Sequence, residues 1–373
     1  MKKIKSNDDM NYNRYCVIMA GGAANRFWPI SREATPKQFL DIHGHGKSFI
    51  RQTYERFASF IPSRNILVVT LNKYGSLVRE QIPEIPEGNI LLEPYSRNTA
   101  PCMAYSTYSI LARDPGATII ATPADHIIRD NDNFRNTMEK VMDCAEKNDV
   151  LMTVGIMPVR PETSYGYIQV TGGKAQAASD SPIKVKTFTE KPDKAIAEAF
   201  CQSGEFYWNS GIFAWKASVI KAEMERYIPD VCSLIKEVGS VAGTQDEAMF
   251  LERAYSECPK ISIDYGVMEK TSKAWLLPGN FGWSDIDNWE ALYGMLDKKD
   301  RDGNVANTEN TLFSMDSRNL LLSTDKNKLY AIKGLENYLV IDTGDALLIC
   351  PRDEKQFKDF ISSLGMPGFE EFR

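Results

Sequence analysis

Histidine is scarce in this sequence, and its cysteines lack the spacing of metal or redox sites. Only three histidines occur among 373 residues, at positions 43, 45 and 126. The seven cysteines are scattered, odd in number and never arranged as CxxC. Metal or general-base chemistry built on histidine clusters is therefore hard to assemble, and we expect reduced, structural thiols.

Excess positive charge and long apolar runs are also missing. The net charge is −6, which argues against an extended nucleic-acid surface, because such surfaces need many lysines and arginines on one face. No run approaches the roughly 18 apolar residues of a membrane span, and the first 14 residues contain no stretch of signal-peptide type. We therefore expect a cytoplasmic protein with neither nucleic-acid nor membrane partners.

Small residues are concentrated after the first apolar run. Residues 15–20 are apolar and lead directly into the sequence GGAANR at 21–26. A buried strand that ends in small residues lets backbone N–H groups approach an anion, and Arg26, Arg32 and Lys37 supply cations close behind. This pattern predicts a bound polyphosphate near the N-terminus.

Strand-like runs alternate with helical patterns through the first two hundred residues. The predicted strands are 15–20, 66–70, 90–93, 118–122 and 151–156, and the predicted helices are 49–60, 101–113 and 134–147. This order predicts an α/β fold with a Rossmann-like, mixed but mainly parallel sheet flanked by helices. Glu93 and Asp125 then lie at strand ends, where open α/β sheets bind ligands.

The pattern changes in the second half of the chain. Residues 165–191 predict an antiparallel extension with a Gly-Gly turn at 172–173, and helices are predicted over 193–200, 218–227 and 286–296. Short apolar runs at 319–323, 329–332, 338–341 and 346–349 predict stacked or coiled strands, such as a left-handed β-helix, closed by a helix at 353–364. We expect a polar extension at 1–14, a catalytic domain at 15–298 and a small C-terminal all-β module at 304–373.

A series of ordered motifs resembles the sugar-nucleotide pyrophosphorylases. The Trp-Pro pair at 28–29 and the Lys-Gln-Phe run at 37–39 are similar to bacterial mannose-1-phosphate guanylyltransferases. The other matching motifs lie at 21–26, 93–101, 123–126, 165–168, 188–192, 208–213, 262–270 and 282–285. The segment 342–352 resembles the β module of that family. No isomerase barrel follows it, so we expect the short monofunctional form.

The resemblance implies a nucleotidyltransferase that makes GDP-mannose and pyrophosphate from GTP and α-D-mannose 1-phosphate. The sugar phosphate already carries the attacking anionic oxygen, so the reaction needs no general base. The obstacle is repulsion between two polyanions, which a divalent cation and basic side chains reduce while they align the reactants. The resemblance therefore also implies Mg²⁺.

The resemblance assigns a role to four charged residues. Asp125 and Asp285 would bind Mg²⁺, and Arg26 and Lys37 would contact the phosphates and the leaving pyrophosphate. For each carboxylate the alternative is a turn or a helix cap, with Ser284 as another candidate cap, and for each cation it is solvated surface charge. For Arg32, phosphate contact and a structural ion pair stay equally open.

The same resemblance implies two pockets. The residues implied in nucleotide binding are Ala20, Gly21, Gly22, Ala23, Asn25, Glu93, Pro94, Asn98, Thr99, Pro123 and Ala124. The residues implied in sugar-phosphate binding are Tyr165, Gly166, Glu190, Lys191 and Asn209. Helix capping is the alternative at Asn98 and Thr99, and a hairpin glycine with solvated charges is the alternative in the second pocket.

Two other functions stay open at this point. Ala24 stands where the family commonly has a third glycine, and a Cβ there would cost on the order of 1 kcal/mol if the position needs positive φ. A pyrophosphorylase for another nucleotide or sugar phosphate, or a non-catalytic sugar-nucleotide-binding relative, would fit that change.

We also expect a homodimer formed through the C-terminal module, because open strand edges tend to be covered.

Overall fold

The computed structural model describes residues 13–22, 25–42, 44, 46–172, 181–297, 299–307, 312–324, 328–364, 368, 369 and 372. The chain divides into two compact units. Unit 1 comprises Met1–Gly21 and Gln52–Ser284, and unit 2 comprises Gly22–Arg51 and Asp285–Arg373. Residues 1–12 of the predicted extension, Ala23 and Ala24 lie outside the described residues, and for Asn25 only the backbone is described.

Unit 1 is an α/β structure. Its strands are β1 (Arg14–Met19), β2 (Ile66–Leu71), β3 (Ile90–Glu93), β4 (Thr118–Pro123), β5 (His126–Ile128), β6 (Leu151–Ile156), β7 (Tyr167–Val170), β8 (Ile183–Thr189), β9 (Phe206–Lys216) and β10 (Ala274–Gly279). Its helices are α2 (Gly75–Gln81), α3 (Thr99–Arg113), α4 (Asn131–Lys147), α5 (Lys194–Ser203), α6 (Ala217–Tyr227), α7 (Pro229–Ile235), α8 (Val238–Val241) and α9 (Glu247–Glu257). Helix α1 (Phe49–Ala58) and strand β11 (Trp283–Asp285) each run across a junction between units in the sequence.

One nine-stranded sheet organises unit 1, in the order β3-β2-β1-β4-β9-β6-β10-β8-β7. Strands β1, β2, β3 and β4 pair in parallel, and β6 pairs in parallel with β10. Strand β9 is antiparallel to both β4 and β6, and β8 is antiparallel to both β10 and β7. All strands of this sheet except β8 and β9 therefore point the same way, which confirms the predicted mixed but mainly parallel sheet.

The core of unit 1 is built from alternate residues of the parallel strands. Val17, Val69 and Ile119 are almost fully buried and belong to one apolar cluster with the buried side chains of α3. Full burial of one such side chain contributes about 1.5–3 kcal/mol. Since β1, β3 and β4 run in parallel, their carboxyl ends bring Ala20, Glu93 and Pro123 to the same edge of the sheet.

Several helices begin at an Asp or Asn cap rather than at the first apolar residue. The Asp130 side chain accepts a hydrogen bond from the Asn133 backbone N–H, so α4 begins three residues before its predicted start. Asn288 likewise accepts from Ala291 N–H at 2.8 Å and starts α10 (Trp289–Met295). The predicted start of that helix at residue 286 is therefore wrong, and neither Ser284 nor Asp285 caps it.

Unit 2 contains a coiled β structure. Its remaining elements are β12 (Val305–Ala306), β13 (Leu312–Met315), β14 (Leu321–Thr324), β15 (Tyr330–Lys333), β16 (Tyr338–Asp342), β17 (Leu347–Pro351) and α11 (Glu354–Ser363). Strands β12, β14 and β16 pair in parallel in one sheet, and β13 pairs in parallel with β15 in another. The chain alternates between the two sheets, as in a β-helix with 16 to 18 residues per coil, which confirms the predicted all-β module.

Corresponding turns of the coil stack on each other. Asn319 and Asn337 both adopt positive φ, at 54° and 58°, which asparagine tolerates better than most residues. The Asn319 Nδ2 donates to Asn337 Oδ1 at 3.0 Å. Residues 22–51 belong to the same unit, where the Phe27 and Trp289 rings meet edge to face at 5.0 Å between centroids.

Candidate functional site

The small-residue loop begins beside a buried carboxyl group in unit 1. Ala20 N–H donates to Val69 carbonyl oxygen at 2.8 Å, which continues the β1–β2 ladder into the loop. A Cβ atom placed on Gly21 would lie 3.1 Å from Glu93 Oε2. Because that contact is tighter than a normal methyl contact, glycine at 21 lets the loop pass close to Glu93, at the edge where both were predicted to lie.

Glu93 is an unusual glutamate because its side chain has no cationic partner among its described contacts and is only 4% exposed. Burial raises the pKa of its carboxyl group to about 8, although the hydrogen bond from Tyr255 opposes that shift. Tyr255 Oη donates to Glu93 Oε1 at 3.0 Å. Near pH 7 this carboxyl group is therefore largely protonated and can both donate and accept a hydrogen bond.

Asn98 and Thr99 form the N-terminus of α3. Asn98 Oδ1 accepts from Thr99 N–H at 2.8 Å, and Asn98 has a φ of 69°. Thr99 Oγ1 accepts from Ile263 N–H at 2.8 Å, and the Arg97 guanidinium donates to the carbonyl oxygens of Tyr255 and Ser256. Capping therefore occurs at this position, and the implied role in nucleotide binding stays a prediction.

The end of β4 carries the next group of predicted residues. Pro123 lies opposite Met19, and Ala124 N–H donates to Met19 carbonyl oxygen at 3.0 Å. Asp125 follows and is half-buried. His126 is buried and accepts from the Trp283 indole N–H at its Nδ1, at 3.2 Å, so this histidine has a structural partner.

The predicted sugar-phosphate residues are close together in unit 1. Asn209 N–H donates to Gly166 carbonyl oxygen at 2.8 Å, and a Cβ on Gly166 would lie only 2.6 Å from Glu190 Oε2. The buried Tyr165 ring meets the rings of Trp208 and Trp283 edge to face, each at 5.3 Å between centroids. Gly166 therefore leaves room for Glu190.

Lys191 lies beside Glu190 on the exposed rim of this cluster. Its Nζ is 3.4 Å from Glu190 Oε1, and its backbone has a φ of 44°. Both side chains are more than half exposed, at 59% and 54%. Such an exposed ion pair contributes little to stability, which leaves both groups able to contact a ligand.

Sequence reasoning assigned no role to two carboxylates near this cluster. Asp264 Oδ1 accepts from Asn209 Nδ2 at 2.7 Å. Burial raises the pKa of Asp264, and Glu190 adds to that shift. Burial also raises the pKa of Glu269, with Asp264 and Glu190 contributing. The signal in the sequence was the matched motif at 262–270, which contains both residues.

Unit 2 contains a buried lysine paired with a predicted metal ligand. The Lys37 side chain is 3% exposed, and its Nζ lies 3.2 Å from Asp285 Oδ1. The same Nζ is 5.4 Å from the centroid of the Phe49 ring. Solvated surface charge, the alternative for Lys37, is therefore wrong, because a buried ammonium group needs compensating partners.

Two other arginines of unit 2 pair with aspartates. Arg26 forms an ion pair with Asp287, whose pKa is raised by burial and by the neighbouring Asp285. Arg32 donates to both carboxylate oxygens of Asp345, at 2.7 and 2.8 Å, and this bond lowers the pKa of Asp345 to about 2. Of the two alternatives for Arg32, the structure shows the structural ion pair. Asp287 was not predicted from the sequence.

The predicted metal ligands lie in different units, Asp125 in unit 1 and Asp285 in unit 2. Within the described parts of the chain, no group of three or more His, Cys, Asp or Glu side chains is arranged to hold a metal ion. Carboxylates are nevertheless ligands that suit Mg²⁺, which commonly takes one or two of them together with water and substrate phosphates. The donor chemistry therefore fits Mg²⁺.

The helices and the cysteines give two further observations. No helix among the described segments is long and apolar enough to cross a membrane. All seven cysteines are free thiols, five of them buried.

The chain matches two described protein families. Residues 15–301 match the Nucleotidyl transferase family, and residues 310–360 match the MannoseP isomerase/GMP-like beta-helix domain.

Similar curated proteins and solved structures agree with these matches. A mannose-1-phosphate guanylyltransferase of Klebsiella pneumoniae is 35% identical over 91% of this chain and 71% of its own length. The alginate biosynthesis protein AlgA of Pseudomonas aeruginosa is 36% identical over 95% of this chain and 73% of its own. A crystal structure from Thermus thermophilus, described as a mannose-1-phosphate geranyltransferase, covers 95% of this chain and 100% of its own, with 30% identity and a TM-score of 0.83.

Proposed function

Since the chain belongs to the nucleotidyl transferase family, and within it to the mannose-1-phosphate guanylyltransferases, we propose that it makes GDP-mannose and pyrophosphate from GTP and α-D-mannose 1-phosphate. The observation that carries this proposal is the 35% identity to a curated mannose-1-phosphate guanylyltransferase over 91% of the chain.

The reaction forms one phosphorus–oxygen bond and breaks another. A phosphate oxygen of mannose 1-phosphate attacks the α-phosphorus of GTP, and the bond to the bridging oxygen of the β-phosphate breaks, so pyrophosphate leaves. The attacking oxygen is already anionic, so no side chain has to remove a proton. The enzyme must instead hold two polyanions together in line and neutralise their charge.

Lys37 is the cation best suited to act on the phosphates. Its ammonium group is buried and held near Asp285, so it is oriented before any substrate arrives. A buried cation acts more strongly on a developing negative charge than a solvated one does. Arg26 is more exposed and is paired with Asp287, and we assign it to the triphosphate and the leaving pyrophosphate.

Asp125 and Asp285 are the proposed residues for Mg²⁺. Both are half-buried carboxylates, and oxygen ligands of this type suit the ion. When bound, Mg²⁺ supplies neutralisation of the phosphate oxygens. The residues of the chain do the rest: Asp285 orients Lys37, and glycine at 21 lets the small-residue loop pass close to Glu93.

The two pockets take residues that the sequence motifs group together. We propose that the nucleotide lies against Ala20, Gly21, Glu93, Pro94 and the 97–99 turn, together with Gly22, Ala23, Asn25, Pro123 and Ala124. The sugar phosphate lies against Tyr165, Gly166, Glu190, Lys191 and Asn209. The close packing of Gly166, Glu190 and Asn209 supports a pocket in which hydroxyl groups are recognised by a small number of fixed polar atoms.

The direct test is a product assay with purified protein. GTP, α-D-mannose 1-phosphate and Mg²⁺ should yield GDP-mannose and pyrophosphate in equal amounts, and EDTA should stop the reaction. Asp285→Ala should nearly abolish turnover, and Lys37→Ala should lower kcat by roughly 100-fold or more. Glu257→Gln, which changes an exposed carboxylate at the end of α9, is the control.

The same assay decides between nucleotides and sugars. A panel of nucleoside triphosphates and sugar 1-phosphates should show the highest kcat/KM for GTP with mannose 1-phosphate. A clear preference for another pair would contradict the guanylyltransferase assignment. GTP binding without turnover on any sugar phosphate would favour a non-catalytic relative.

We further propose that two copies associate through the β-helix of unit 2. Strand β17 is the last strand of its sheet, and its Leu347 and Ile349 side chains are 59% and 53% exposed. Exposed apolar side chains on a sheet edge are commonly covered by a partner. Light scattering should show a dimer that Leu347→Lys weakens, and a monomer for the unaltered chain would contradict the proposal.

We also propose that the protein acts in the cytoplasm. The seven free thiols support a reducing compartment, because disulfides are favoured in oxidising ones. Fractionation of cells that produce the protein should recover it with cytoplasmic markers, and recovery with an exported fraction would contradict this.

A further inference from the structure

The motif at 262–270 contains a feature that the proposed reaction does not use. Residues Asp264–Met268 form a single π-helical turn. Turns of this type are uncommon and are frequently found at functional sites. Asp264 begins the turn, is half-buried, and directs its carboxylate at Asn209.

The carboxamide of Asn209 is held on both sides. Its Oδ1 accepts from Gly211 N–H at 3.0 Å, and its Nδ2 donates to Asp264 Oδ1 at 2.7 Å. A backbone N–H can only donate, so the contact with Gly211 identifies Oδ1 as the oxygen, and the nitrogen end then donates to Asp264. Among the described contacts of Asn209, one N–H and one oxygen lone pair have no protein partner.

The surroundings of Asp264 explain why this contact is specific. Burial raises the pKa of Asp264 and Glu190 adds to that shift, whereas the Asn209 amide and Lys191 favour its charged form. Asp264 and Glu190 in turn raise the pKa of Glu269. Burial of a carboxylate among other carboxylates is costly. A polar contact retained at that cost indicates a functional role rather than a contribution to stability.

The segment that carries Asp264 is anchored to the α3 N-terminus. Ile261 N–H donates to Arg97 carbonyl oxygen, Ala100 N–H donates to Ile261 carbonyl oxygen, and Ile263 N–H donates to Thr99 Oγ1. Asp264 follows directly, so its backbone position is set by α3 rather than by the strand that carries Asn209. A rigid support of this kind suits a residue that orients another residue.

We propose that Asp264 is a positioning residue that fixes the Asn209 carboxamide so that it presents one donor and one acceptor to a sugar hydroxyl, and thereby sets discrimination between sugar 1-phosphates. This inference rests on the proposed guanylyltransferase function. Asp264 itself takes no part in bond making. Its effect is on recognition of the sugar and not of the nucleotide.

The test compares Asp264→Ala, Asp264→Asn, Asn209→Ala and the Asp264→Ala/Asn209→Ala double variant. Asp264→Ala should raise KM for mannose 1-phosphate by about tenfold or more, the loss typical of a hydrogen bond to a charged partner. KM for GTP should change less than about twofold. Asp264→Asn keeps an acceptor oxygen and should restore part of the loss, since a neutral bond is roughly half as strong.

The double variant separates positioning from a general structural role. If Asp264 acts through Asn209, its removal in the Asn209→Ala background should change KM for mannose 1-phosphate by less than about twofold. The ratio of kcat/KM for mannose 1-phosphate to that for glucose 1-phosphate should fall in all four variants and stay unchanged in the Glu257→Gln control. Independent effects of the two substitutions, or an unchanged ratio, would overturn the inference.

Failure of the inference is distinguishable from failure of the proposed function. A wild-type protein that makes no GDP-mannose refutes the function. A wild-type protein that makes it, with Asp264 variants that bind mannose 1-phosphate normally, refutes only the role of Asp264. If Asp264→Ala does not fold by circular dichroism, the comparison of Asp264→Asn with wild type decides the question.

Discussion

Glu93→Gln should remove a pH dependence from the stability of unit 1. The Glu93 pKa is about 8 in the folded protein against an ordinary value of 4.5. Between these two pH values the Glu93 carboxyl group is ionised in the unfolded chain but keeps its proton in the folded protein. The free energy of unfolding therefore falls as pH rises. Above about pH 8 both states are ionised and the loss is constant.

The magnitude follows from the shift. A difference of roughly 3.5 pKa units, at about 1.36 kcal/mol each, gives an upper limit of about 5 kcal/mol. The contribution of Glu93 should therefore make the free energy of unfolding of the wild-type protein about 2 kcal/mol lower at pH 8 than at pH 6. Glutamine has no such ionisation, and its Oε1 can still accept from Tyr255.

Urea titrations of both proteins at pH 6 and pH 8 measure this difference. The free energy of unfolding of Glu93→Gln should exceed that of wild type at pH 8 and approach it as pH falls. Glu87→Gln is a matched control, because Glu87 precedes the same strand but is exposed. Equal pH dependence in wild type and Glu93→Gln would refute the claim that burial keeps Glu93 neutral.

Substitutions at three other positions test packing and backbone conformation. Gly166→Ala should raise KM for mannose 1-phosphate several-fold with little change in melting temperature, because the new Cβ lies 2.6 Å from the mobile end of Glu190; a normal KM in steady-state kinetics would contradict this. Gly155→Ala should destabilise unit 1 by about 1–3 kcal/mol in urea titrations, because its Cβ would lie 2.5 Å from Leu276 Cδ1 in the core. Asn337→Ala should be less stable than Asn337→Gly by about 1 kcal/mol, because alanine resists a φ of 58°; equal denaturation midpoints would count against that reasoning.

The sequence predicted the parallel half of the sheet well because its strands are buried on both faces. Residues 66–71, 90–93 and 151–156 form continuous apolar runs of strand length with clear boundaries. Strand β9 was not predicted, because the polar sequence Asn209-Ser210-Gly211 interrupts its apolar pattern. These polar residues have partners elsewhere in the fold: Asn209 Nδ2 donates to Asp264 Oδ1, and the buried Ser210 hydroxyl donates to Val154 carbonyl oxygen.

The proximity of residues within the candidate site was predictable where a motif kept them together in the sequence. Gly21, Glu93 and the cluster of Gly166, Glu190 and Asn209 lie at strand ends or in matched motifs. Contacts between distant segments were not predictable. Asp264 lies 55 residues after Asn209, and neither hydrophobic periodicity nor local spacing relates two such positions. The Arg32–Asp345 ion pair, across 313 residues, was hidden for the same reason.

The division of the chain into two units limits which truncated proteins can be used to study the reaction. Unit 2 is assembled from two separate stretches, and Trp28 carbonyl oxygen accepts from the Trp289 indole N–H at 3.3 Å within it. A shortened polypeptide ending at Ser284 would retain Lys37 but lose Asp285, and it would leave residues 22–51 without their packing partners. Deletion of residues 285–373, about a quarter of the chain, therefore removes part of the reaction centre proposed above. Loss of activity in such a truncation is no evidence that the β-helix itself takes part in catalysis.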